Sequence, residues 1–273
     1  MKQSFSALLS VYKNDNPLFF RQALDSVISQ TSIPSEIVLM VDGPVSDELD
    51  SVIKEYQKRY SLLKVVRFEQ NQGLGKALEE GVKHATYDIV ARMDSDDIAA
   101  PDRFEKQLMC FLNDSELSIV GGTISEFIDS PDNIVGHRVC PLTNEEIRDY
   151  MKTRCAFNHM TVMFKKSEVL KVGNYQDWFW NEDYYLWIRM MLAGCKFANL
   201  PDTLVNVRVG KDMYARRGGW KYFKSEEGIQ RYMLKHKLIG LPCYLYNVII
   251  RFVLQVAMPN SLRGWVFRTF ARK

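Results

Sequence analysis

Short apolar runs alternate with amphipathic stretches along the first part of the chain. The apolar runs predict four strands, at residues 5–11, 36–41, 63–68 and 87–93. Stretches with helical periodicity separate them, and turn residues mark each change of pattern. Alternating strands and helices are typical of a mostly parallel sheet flanked by helices, so the chain is predicted to belong to the α/β class.

The segments between these strands have the spacing of helices that bury one face. The first helix is expected to begin after Asn14 or Asp15 as its N-cap, with Pro17 in its first turn. The third is predicted at residues 76–84. The expected buried positions are Phe20, Leu24, Val27 and Ile28 in the first helix, and Leu49, Val52, Ile53, Tyr56 and Tyr60 in the second.

The second half of the chain has longer connections between its apolar runs. Strands are predicted near residues 118–127, 162–164 and 196–200. A helix is expected from Trp180 to Ala193, ended by Gly194. The longer connections predict that these strands add a mixed part to the sheet.

Composition is that of a globular protein of 273 residues, 47% of them hydrophobic. Its five cysteines are scattered and form no Cys-x-x-Cys pair, which favours a reducing compartment and argues against a disulfide framework or a zinc site. The first residues, Met1-Lys2-Gln3, lead directly into a strand pattern. We therefore expect no signal peptide and a cytoplasmic protein.

Charge is distributed unevenly along the chain, although the formal net charge is only +3. No acidic residue follows Glu227, whereas residues 228–273 carry eight basic ones and residues 1–227 have a net charge of −5. This split predicts a catalytic domain at residues 1–227 and a basic segment at residues 228–273 that faces an anionic surface.

The basic C-terminal segment is also amphipathic. Basic helices with Trp and Phe on the apolar side lie in membrane interfaces, so we expect peripheral association with the inner face of the cell membrane. Arg251 disfavours a membrane span, and the alternative is a helical hairpin packed on the catalytic domain. The apolar positions are Leu245, Val248, Ile249, Phe252, Val253 and Val256, then, after Pro259, Leu262, Trp265, Val266 and Phe270.

Three carboxylates follow the fourth strand within four residues, at Asp94, Asp96 and Asp97. Oxygen ligands at the end of a strand suit Mg²⁺ or Mn²⁺ bound together with a substrate diphosphate. The alternative is an acidic turn in which Asp96 or Asp97 caps a helix. Asp42 ends the second strand at the same edge of a parallel sheet, where it could hold a ribose or a base, or form a turn. Ser10 and Tyr12 end the first strand beside it.

Gly73-Leu74-Gly75-Lys76 fits neither common phosphate-binding motif. A Walker loop needs Ser or Thr after the lysine, where this chain has Ala77, and a dinucleotide fingerprint needs a glycine where it has Leu78. What remains is a tight turn at a helix start, with Lys76 available to an anion.

Glu182 and Asp183 begin the helix predicted in the second half. Acidic residues there often only complement the helix dipole, but a carboxylate kept ionised by a helix N-terminus also suits a general base. The aromatic residues around them resemble a wall for stacking sugar rings: Trp178, Phe179, Trp180, Tyr184, Tyr185 and Trp187.

Basic residues downstream are candidates for phosphate contacts. Arg208, followed by Arg216 and Arg217 between glycines, describes a mobile basic loop, or alternatively a solvated turn. His159, which precedes an apolar strand, is expected to be a hydrogen-bonded core histidine.

The order of these motifs is more informative than any one of them. Ser10-Val11-Tyr12, Asp42, Asn71-Gln72-Gly73, Asp94-Ser95-Asp96-Asp97 and Glu182-Asp183 together resemble the family 2 glycosyltransferases over about residues 4–225. The resemblance implies the nucleotide-sugar-binding GT-A fold. Within the family the chain looks most like bacterial enzymes that extend surface polysaccharide or lipopolysaccharide units.

The resemblance also implies roles for individual residues. Asp96 would be the metal ligand that bridges to the diphosphate, with Asp94 beside it on the ribose or the metal, and Asp183 would be the catalytic base. The chain departs from many relatives in having Val41 before Asp42, and Leu78 in place of an arginine. The implied nucleotide-sugar contacts are Ser10, Tyr12, Asp42, Lys76, Asp94, Ser95, Glu182, Arg208, Arg216 and Arg217.

These inferences predict an inverting, Mn²⁺- or Mg²⁺-dependent transferase that uses a nucleoside-diphosphate sugar, in first place a UDP-sugar, and a lipid-linked or polysaccharide acceptor. No nucleic-acid partner is expected. A haloacid-type phosphatase also has Asp-x-Asp after a strand, but its nucleophile ends the first strand, and here that strand ends Ser10-Val11-Tyr12. A membrane-bound, non-catalytic scaffold with a transferase fold is disfavoured by the intact acidic motifs.

Overall fold

The computed structural model describes residues 3–210 and 218–258, and nine strands in this part of the chain form one mixed sheet. Their order is β3-β2-β1-β4-β8-β6-β9-β5, and β7 pairs with the second half of β6. The strands are β1 (Ser6–Tyr12), β2 (Glu36–Asp42), β3 (Leu63–Arg67), β4 (Ile89–Arg92), β5 (Ile98–Ala99), β6 (Leu117–Phe127), β7 (Ile134–Arg138), β8 (Met163–Lys165) and β9 (Lys196–Arg208).

Helices cover both faces of the sheet. α1 and α2 pack on one face and α3 on the other, so the apolar side chains of β1 and β2 are buried on both sides. The helices are α1 (Pro17–Ile28), α2 (Asp47–Arg59), α3 (Leu74–His84), α4 (Arg103–Asn113), α5 (Asn144–Tyr150), α6 (Lys166–Lys171), α7 (Glu182–Leu192), α8 (Trp220–Lys235) and α9 (Leu241–Phe252). A 3₁₀ turn at His159–Thr161 precedes β8, and a π-helical turn at Val253–Ala257 continues α9.

The predicted parallel half of the sheet is confirmed. β1 lies between β2 and β4, β3 pairs with β2, and all three pairings are parallel. The observed ends of these strands differ from the predicted ones by at most two residues. The predicted N-cap of α1 is wrong: Asn16 Oδ1, rather than Asn14 or Asp15, accepts hydrogen bonds from the N–H groups of Leu18 and Phe19. Because proline suits the first helical position, the helix starts directly at Pro17.

The mixed character of the second half is also confirmed. β8 runs antiparallel between β4 and β6, and β9 is parallel to β6 and antiparallel to β5. β9 is longer than predicted, since it continues through Pro201 and Asp202 with shifts of register against β6. These irregular positions have no strand pattern in the sequence.

α8 and α9 form a hairpin that packs on the preceding part of the chain, and α9 has an unexpected orientation. The side of α9 that faces the protein is polar, with Asn247, Arg251 and Gln255 buried at four-residue spacing. The outward side is apolar and exposed: Leu241, Leu245, Tyr246, Ile249, Ile250, Phe252 and Val253. The sequence leaves membrane association and a packed helical hairpin as alternatives; the hairpin is present, and the outward side of α9 is apolar. In the described part of the chain, no helix has the length and apolarity to cross a membrane.

Candidate functional site

Parallel strands β1, β2 and β4 end at one edge of the sheet, here named the carboxyl edge. Tyr12 is paired in register with Asp42, and Asp94 follows β4 at the same edge. Tyr12 is exposed and Ser10 is partly exposed, so both side chains are accessible there. The structure therefore brings together the ends of the first, second and fourth strands, as the parallel sheet predicts.

Arg92 is a buried cation at the centre of the edge. Its side chain is 2% exposed, and its Nη2 lies 2.6 Å from Asp94 Oδ1 in an ion pair. Burial lowers the pKa of Arg92, but the charge and hydrogen bond of Asp94, together with Tyr175 and Asp97, outweigh burial and raise it. Arg103 Nη2 donates a hydrogen bond to the Arg92 carbonyl oxygen at 2.7 Å and so holds the end of β4 in place. The sequence pattern gave Arg92 no role, although a charged residue inside an apolar strand is a usable signal.

A third carboxylate, Asp15, joins Asp94 and Asp96. Asp15 Oδ2 accepts hydrogen bonds from Ser95 Oγ at 2.9 Å and from the Tyr12 N–H at 3.1 Å, which ties the end of β1 to the loop after β4. Burial and the charge of Asp94 raise the pKa of Asp15 to about 6. Loss of hydration in the cleft and the charges of Asp94 and Asp15 likewise raise the pKa of Asp96 to about 6. The three carboxylates thus repel one another.

Asp97 does not share the solvent-facing role of Asp96. It is 2% exposed, and its Oδ1 accepts a hydrogen bond from the Arg208 N–H at 2.9 Å. The guanidinium of Arg208 lies 3.8 Å from the ring centroid of Phe19, and its Nε donates to the Asp96 carbonyl oxygen. The alternative of a helix cap at Asp96 or Asp97 is wrong, because β5 follows these residues and the next helix begins after Asp102.

Asp42 is a buried clamp for the loop that precedes α3. Its Oδ1 accepts from the Gln72 N–H at 2.7 Å, and its Oδ2 accepts from Asn71 Nδ2 at 2.8 Å and from the Gly73 N–H at 2.9 Å. Lys76 in the first turn of α3 forms ion pairs with Glu79 and Glu80. Both predicted ligand contacts therefore already have protein partners.

Glu182 and Asp183 form the N-terminal turn of α7, as predicted. Burial and the adjacent charge of Asp183 raise the pKa of Glu182 to about 7, and burial raises the pKa of Asp183 as well. We expected the helix N-terminus to keep such a carboxylate ionised, but loss of hydration and the second charge outweigh the helix dipole. The pair therefore holds its protons more tightly than free carboxyl groups do.

The two acidic motifs converge on the same buried cation. Burial raises the pKa of Asp96, Glu182 and Asp183, the charge of Arg92 offsets part of this rise at all three, and the charge of Asp94 adds to it at Asp96 and Glu182. α3 packs close to the first turn of α7, because a Cβ added to Gly75 of α3 would lie 3.5 Å from Glu182 Cβ. Acidic residues about ninety positions apart in sequence thus lie near the same guanidinium.

The aromatic residues around α7 differ in how far their side chains are exposed. Tyr184 and Trp187 are buried in the core, and Trp178 stacks on Tyr185 with 4.2 Å between ring centroids. Trp180 is 52% exposed and is the accessible ring of the predicted sugar-stacking wall. His159 Nε2 lies 2.9 Å from Tyr175 Oη, and burial holds its pKa well below the usual value, which confirms a hydrogen-bonded core histidine. Arg216 and Arg217, as well as the apolar positions predicted after Pro259, lie outside the described residues.

Comparison with known proteins decides the family. The sequence model of Glycosyl transferase family 2 matches residues 6–171, which span β1 to α6 and include both Asp42 and the Asp94–Asp97 loop. The chain belongs to this family. Membership makes it a glycosyltransferase and argues against the phosphatase and scaffold alternatives.

Relatives in family 2 match over most of their length. The chain is 42% identical to the amylovoran biosynthesis glycosyltransferase AmsE of Erwinia amylovora, over 86% of this chain and 88% of that protein. It is 35% identical to the UDP-Gal:α-D-GlcNAc-diphosphoundecaprenol β-1,3-galactosyltransferase of Escherichia coli, over 98% of this chain and 97% of that protein.

Solved structures confirm the GT-A fold. TarS 1–349 of S. aureus in complex with UDP-GlcNAc superposes with a TM-score of 0.67 at 16% identity, covering 92% of this chain and 73% of that one. The mannosyltransferase PcManGT of Pyrobaculum calidifontis in complex with GDP-Man and Mn²⁺ gives 0.62 at 17% identity, covering 97% and 75%.

Proposed function

We propose that this glycosyltransferase moves a sugar from a UDP-sugar to a hydroxyl of a lipid-linked oligosaccharide or polysaccharide, with inversion, in the synthesis of a cell-surface polysaccharide. The observation that carries the proposal is the convergence of Asp94, Glu182 and Asp183 on the buried guanidinium of Arg92. The names of the two relatives, one for amylovoran synthesis and one for transfer to a diphosphoundecaprenol-linked sugar, support the donor and acceptor classes.

Asp183 is the proposed catalytic base. A carboxylate with a raised pKa accepts a proton more effectively than a free one, and burial supplies this shift at Asp183. Asp183 takes the proton from the acceptor hydroxyl while the sugar–diphosphate bond breaks on the opposite face of the ring. One displacement needs no second carboxylate as nucleophile, so the anomeric configuration inverts.

Asp96 and Asp94 are the proposed holders of Mn²⁺ or Mg²⁺. Among residues 3–210 and 218–258 no three His, Cys, Asp or Glu side chains are placed to hold an ion by themselves, but these ions use one or two carboxylates together with water and substrate phosphates. Asp96 is exposed to such a substrate, and the repulsion among Asp15, Asp94 and Asp96 is what a cation relieves. Asp96 and Asp94 would hold the ion where its charge would offset the charge on the departing nucleoside diphosphate.

The remaining donor contacts are proposed around the carboxyl edge. Tyr12 and Ser10 are accessible to the nucleoside, and Ser95 keeps the metal loop against β1 through Asp15. We infer that Asp42 acts through the loop that it clamps, and that Arg208 positions Asp96 and Asp97. The basic residues Lys76, Arg216 and Arg217 are proposed phosphate contacts, of which Lys76 first has to leave its ion pair with Glu79.

The C-terminal segment, residues 228–273, is proposed to bind the inner face of the cell membrane. α9 supports this proposal because its polar side is bound to the protein: Arg251 Nε lies 2.7 Å from Glu226 Oε2, and Asn247 Nδ2 donates to the Lys152 carbonyl oxygen at 3.0 Å. The opposite apolar side is left exposed. The absence of acidic residues after Glu227 favours anionic lipids as the surface that covers it.

Substitution of the proposed base tests the reaction. In Asp183→Asn we expect transfer from a UDP-sugar to a short-chain lipid-diphosphate sugar to fall by roughly a hundredfold or more, because no group takes the acceptor proton. UDP binding, measured by calorimetry with Mn²⁺ present, should stay within about twofold of the wild-type value, since the donor residues are intact. Glu116→Gln, which changes an exposed carboxylate at the opposite edge of the sheet, is the control. Full transfer activity in Asp183→Asn would exclude Asp183 as the base.

A further inference from the structure

Trp180 has an unusual backbone conformation just before α7, the helix that carries the proposed base Asp183. Its φ is +56°, in the left-handed region that large side chains rarely adopt, and its side chain is 52% exposed. Large apolar side chains are normally buried, and left-handed backbone at a non-glycine residue costs stability. Such outliers concentrate at functional sites, so the position of this ring requires a reason.

Ser225 of α8 holds the loop that presents the ring. Ser225 Oγ donates to the Phe179 carbonyl oxygen at 2.6 Å and accepts from Asn181 Nδ2 at 3.1 Å. Trp178 Nε1 donates to the Ser225 carbonyl oxygen at 2.9 Å. These bonds lie on both sides of Trp180 in the chain, so its exposed position is fixed by the fold and is not a loose end of a loop.

The neighbouring rings leave part of the indole open. Phe179 stacks on Trp180 with 4.9 Å between centroids and 13° between planes, and Tyr222 lies 6.1 Å away. This is a supported aromatic surface that begins three residues before the proposed base, Asp183. An aromatic ring that is stacked on one face and accessible on the other loses little conformational freedom when it binds a ligand.

We propose that Trp180 is the binding platform for the terminal sugar ring of the acceptor. The apolar C–H face of a pyranose packs on an aromatic ring, while its hydroxyl groups remain available at the edge. The acceptor, rather than the donor, is assigned because the donor diphosphate belongs to the Asp94–Asp97 loop and Asp183 has to meet the acceptor hydroxyl. This inference rests on the proposed function and extends it to the recognition of the acceptor.

Four variants distinguish the effect of the Trp180 ring from the effect of its backbone conformation. Trp180→Ala removes the platform, Trp180→Tyr retains an aromatic ring, and Trp180→Gly removes the ring but suits the left-handed backbone. Trp220→Ala is the matched control, because Trp220 is also 52% exposed and stacks on a phenylalanine, Phe223. The acceptors are short-chain alkyl diphosphates that carry GlcNAc, GalNAc, glucose or galactose, measured for binding with UDP and Mn²⁺ present and for transfer with UDP-sugars.

We expect Trp180→Ala and Trp180→Gly to raise the acceptor KM and Kd about tenfold, with the donor KM unchanged and Trp180→Tyr close to wild type. Trp180→Gly should unfold at no lower temperature than the wild type, whereas a merely structural ring predicts a clear drop. An unchanged acceptor KM in Trp180→Ala, an equal rise in Trp220→Ala, or wild-type protein that binds none of the four sugars overturns the platform. Binding that depends on Trp180 without any transfer supports the platform and overturns the proposed function.

Discussion

Arg92 gives the site its electrostatic organisation at the scale of single residues. Its guanidinium is buried and, among the residues that the structure describes, forms an ion pair with one carboxylate, Asp94. Its charge also offsets part of the rise in the pKa of Asp96 and Asp183. An arginine in this position keeps several acidic groups close together while leaving Asp96 free for a ligand.

Glu182 provides a test of the coupled acid pair. In Glu182→Gln the negative charge beside Asp183 is lost, so the pKa of Asp183 should fall. Because the base works only when deprotonated, activity is lost as the pH falls through the pKa of the pair, which for Glu182 is about 7. We expect the acidic limb of the pH profile of kcat/KM to move to lower pH in the variant.

The control for this pH experiment is Glu116→Gln, whose profile should match the wild type. A limb that stays at its original pH in Glu182→Gln would show that the two carboxyl groups titrate independently and contradict the coupling. A loss of kcat/KM at every pH would instead indicate that Glu182 contacts the substrate.

Individual site residues were only partly predictable from sequence. Asp94, Asp96 and Asp183 follow from motif order, since the types and spacing of these residues are distinctive. Asp15 was expected to cap a helix, and Arg92 had no expected role, because their partners lie far away in the sequence. Local patterns show which side chains are polar, but not which hydrogen bonds they already have.

At the scale of elements, α9 shows what an amphipathic pattern leaves open. The periodicity of Leu245, Ile249 and Phe252 predicts a helix with one apolar side, and this helix is present. The pattern does not indicate which side the protein covers. Here three polar side chains pair with Glu226, Gln230 and main-chain oxygens of the catalytic domain, so the usual orientation is reversed.

Ile249→Glu tests whether the outward side of α9 binds membranes. Ile249 is 60% exposed, so a glutamate there should leave folding unchanged while placing a charge in the lipid interface. In vesicle sedimentation with phosphatidylglycerol we expect binding to fall by roughly tenfold, because the charge opposes both insertion and anionic lipids.

Leu112→Glu is the matched control for α9, since Leu112 is 58% exposed but lies on α4. Equal sedimentation of Ile249→Glu and wild-type protein would contradict membrane binding through this side. A third outcome is also informative: wild-type protein stays in the supernatant, and α9 is protected from hydrogen exchange. This result would indicate that residues 259–273 of the chain, rather than lipid, cover the apolar side of α9.

At the scale of the whole molecule, the proposed metal-binding residues and the proposed base belong to different halves of the chain's mixed sheet. The parallel half, β1 to β4, has the proposed donor residues at its carboxyl edge, and the second half contributes α7 with the proposed base. The parallel half was predictable because the clear helices α1, α2 and α3 separate its four strands. The second half was not predictable in detail, since β5 has only two residues and β9 is interrupted by irregular register.

Ligand binding should stabilise the folded enzyme as a unit. With UDP and Mn²⁺ at about a hundredfold excess over Kd, we expect a gain of about 2.7 kcal/mol in the free energy of unfolding, measured as a higher Tm. In Asp96→Ala the gain that depends on Mn²⁺ should disappear, since a proposed ligand is lost. The ligand-free variant should unfold at no lower temperature than the wild type, because one of three mutually repelling carboxylates is gone.

In this melting experiment Glu116→Ala should keep the full Mn²⁺-dependent gain. An equal Mn²⁺-dependent rise of Tm in Asp96→Ala and in wild-type protein would rule out Asp96 as the metal holder. A gain from UDP alone, with no dependence on the ion, would contradict metal use altogether.

The reversed orientation of α9 has a practical consequence for preparing this enzyme. Cutting the chain after α8, a common way to obtain a protein that needs no detergent, would expose Glu226 and Gln230 and the carbonyl oxygens of Lys152 and Thr153 without their partners. Polar groups that lose their partners cost stability, so the shortened enzyme would hold α8 and the turn at Lys152 and Thr153 less firmly. Polar substitutions at Leu245, Ile249 and Phe252 would instead remove the exposed apolar surface and leave the polar side of α9 bound to the protein.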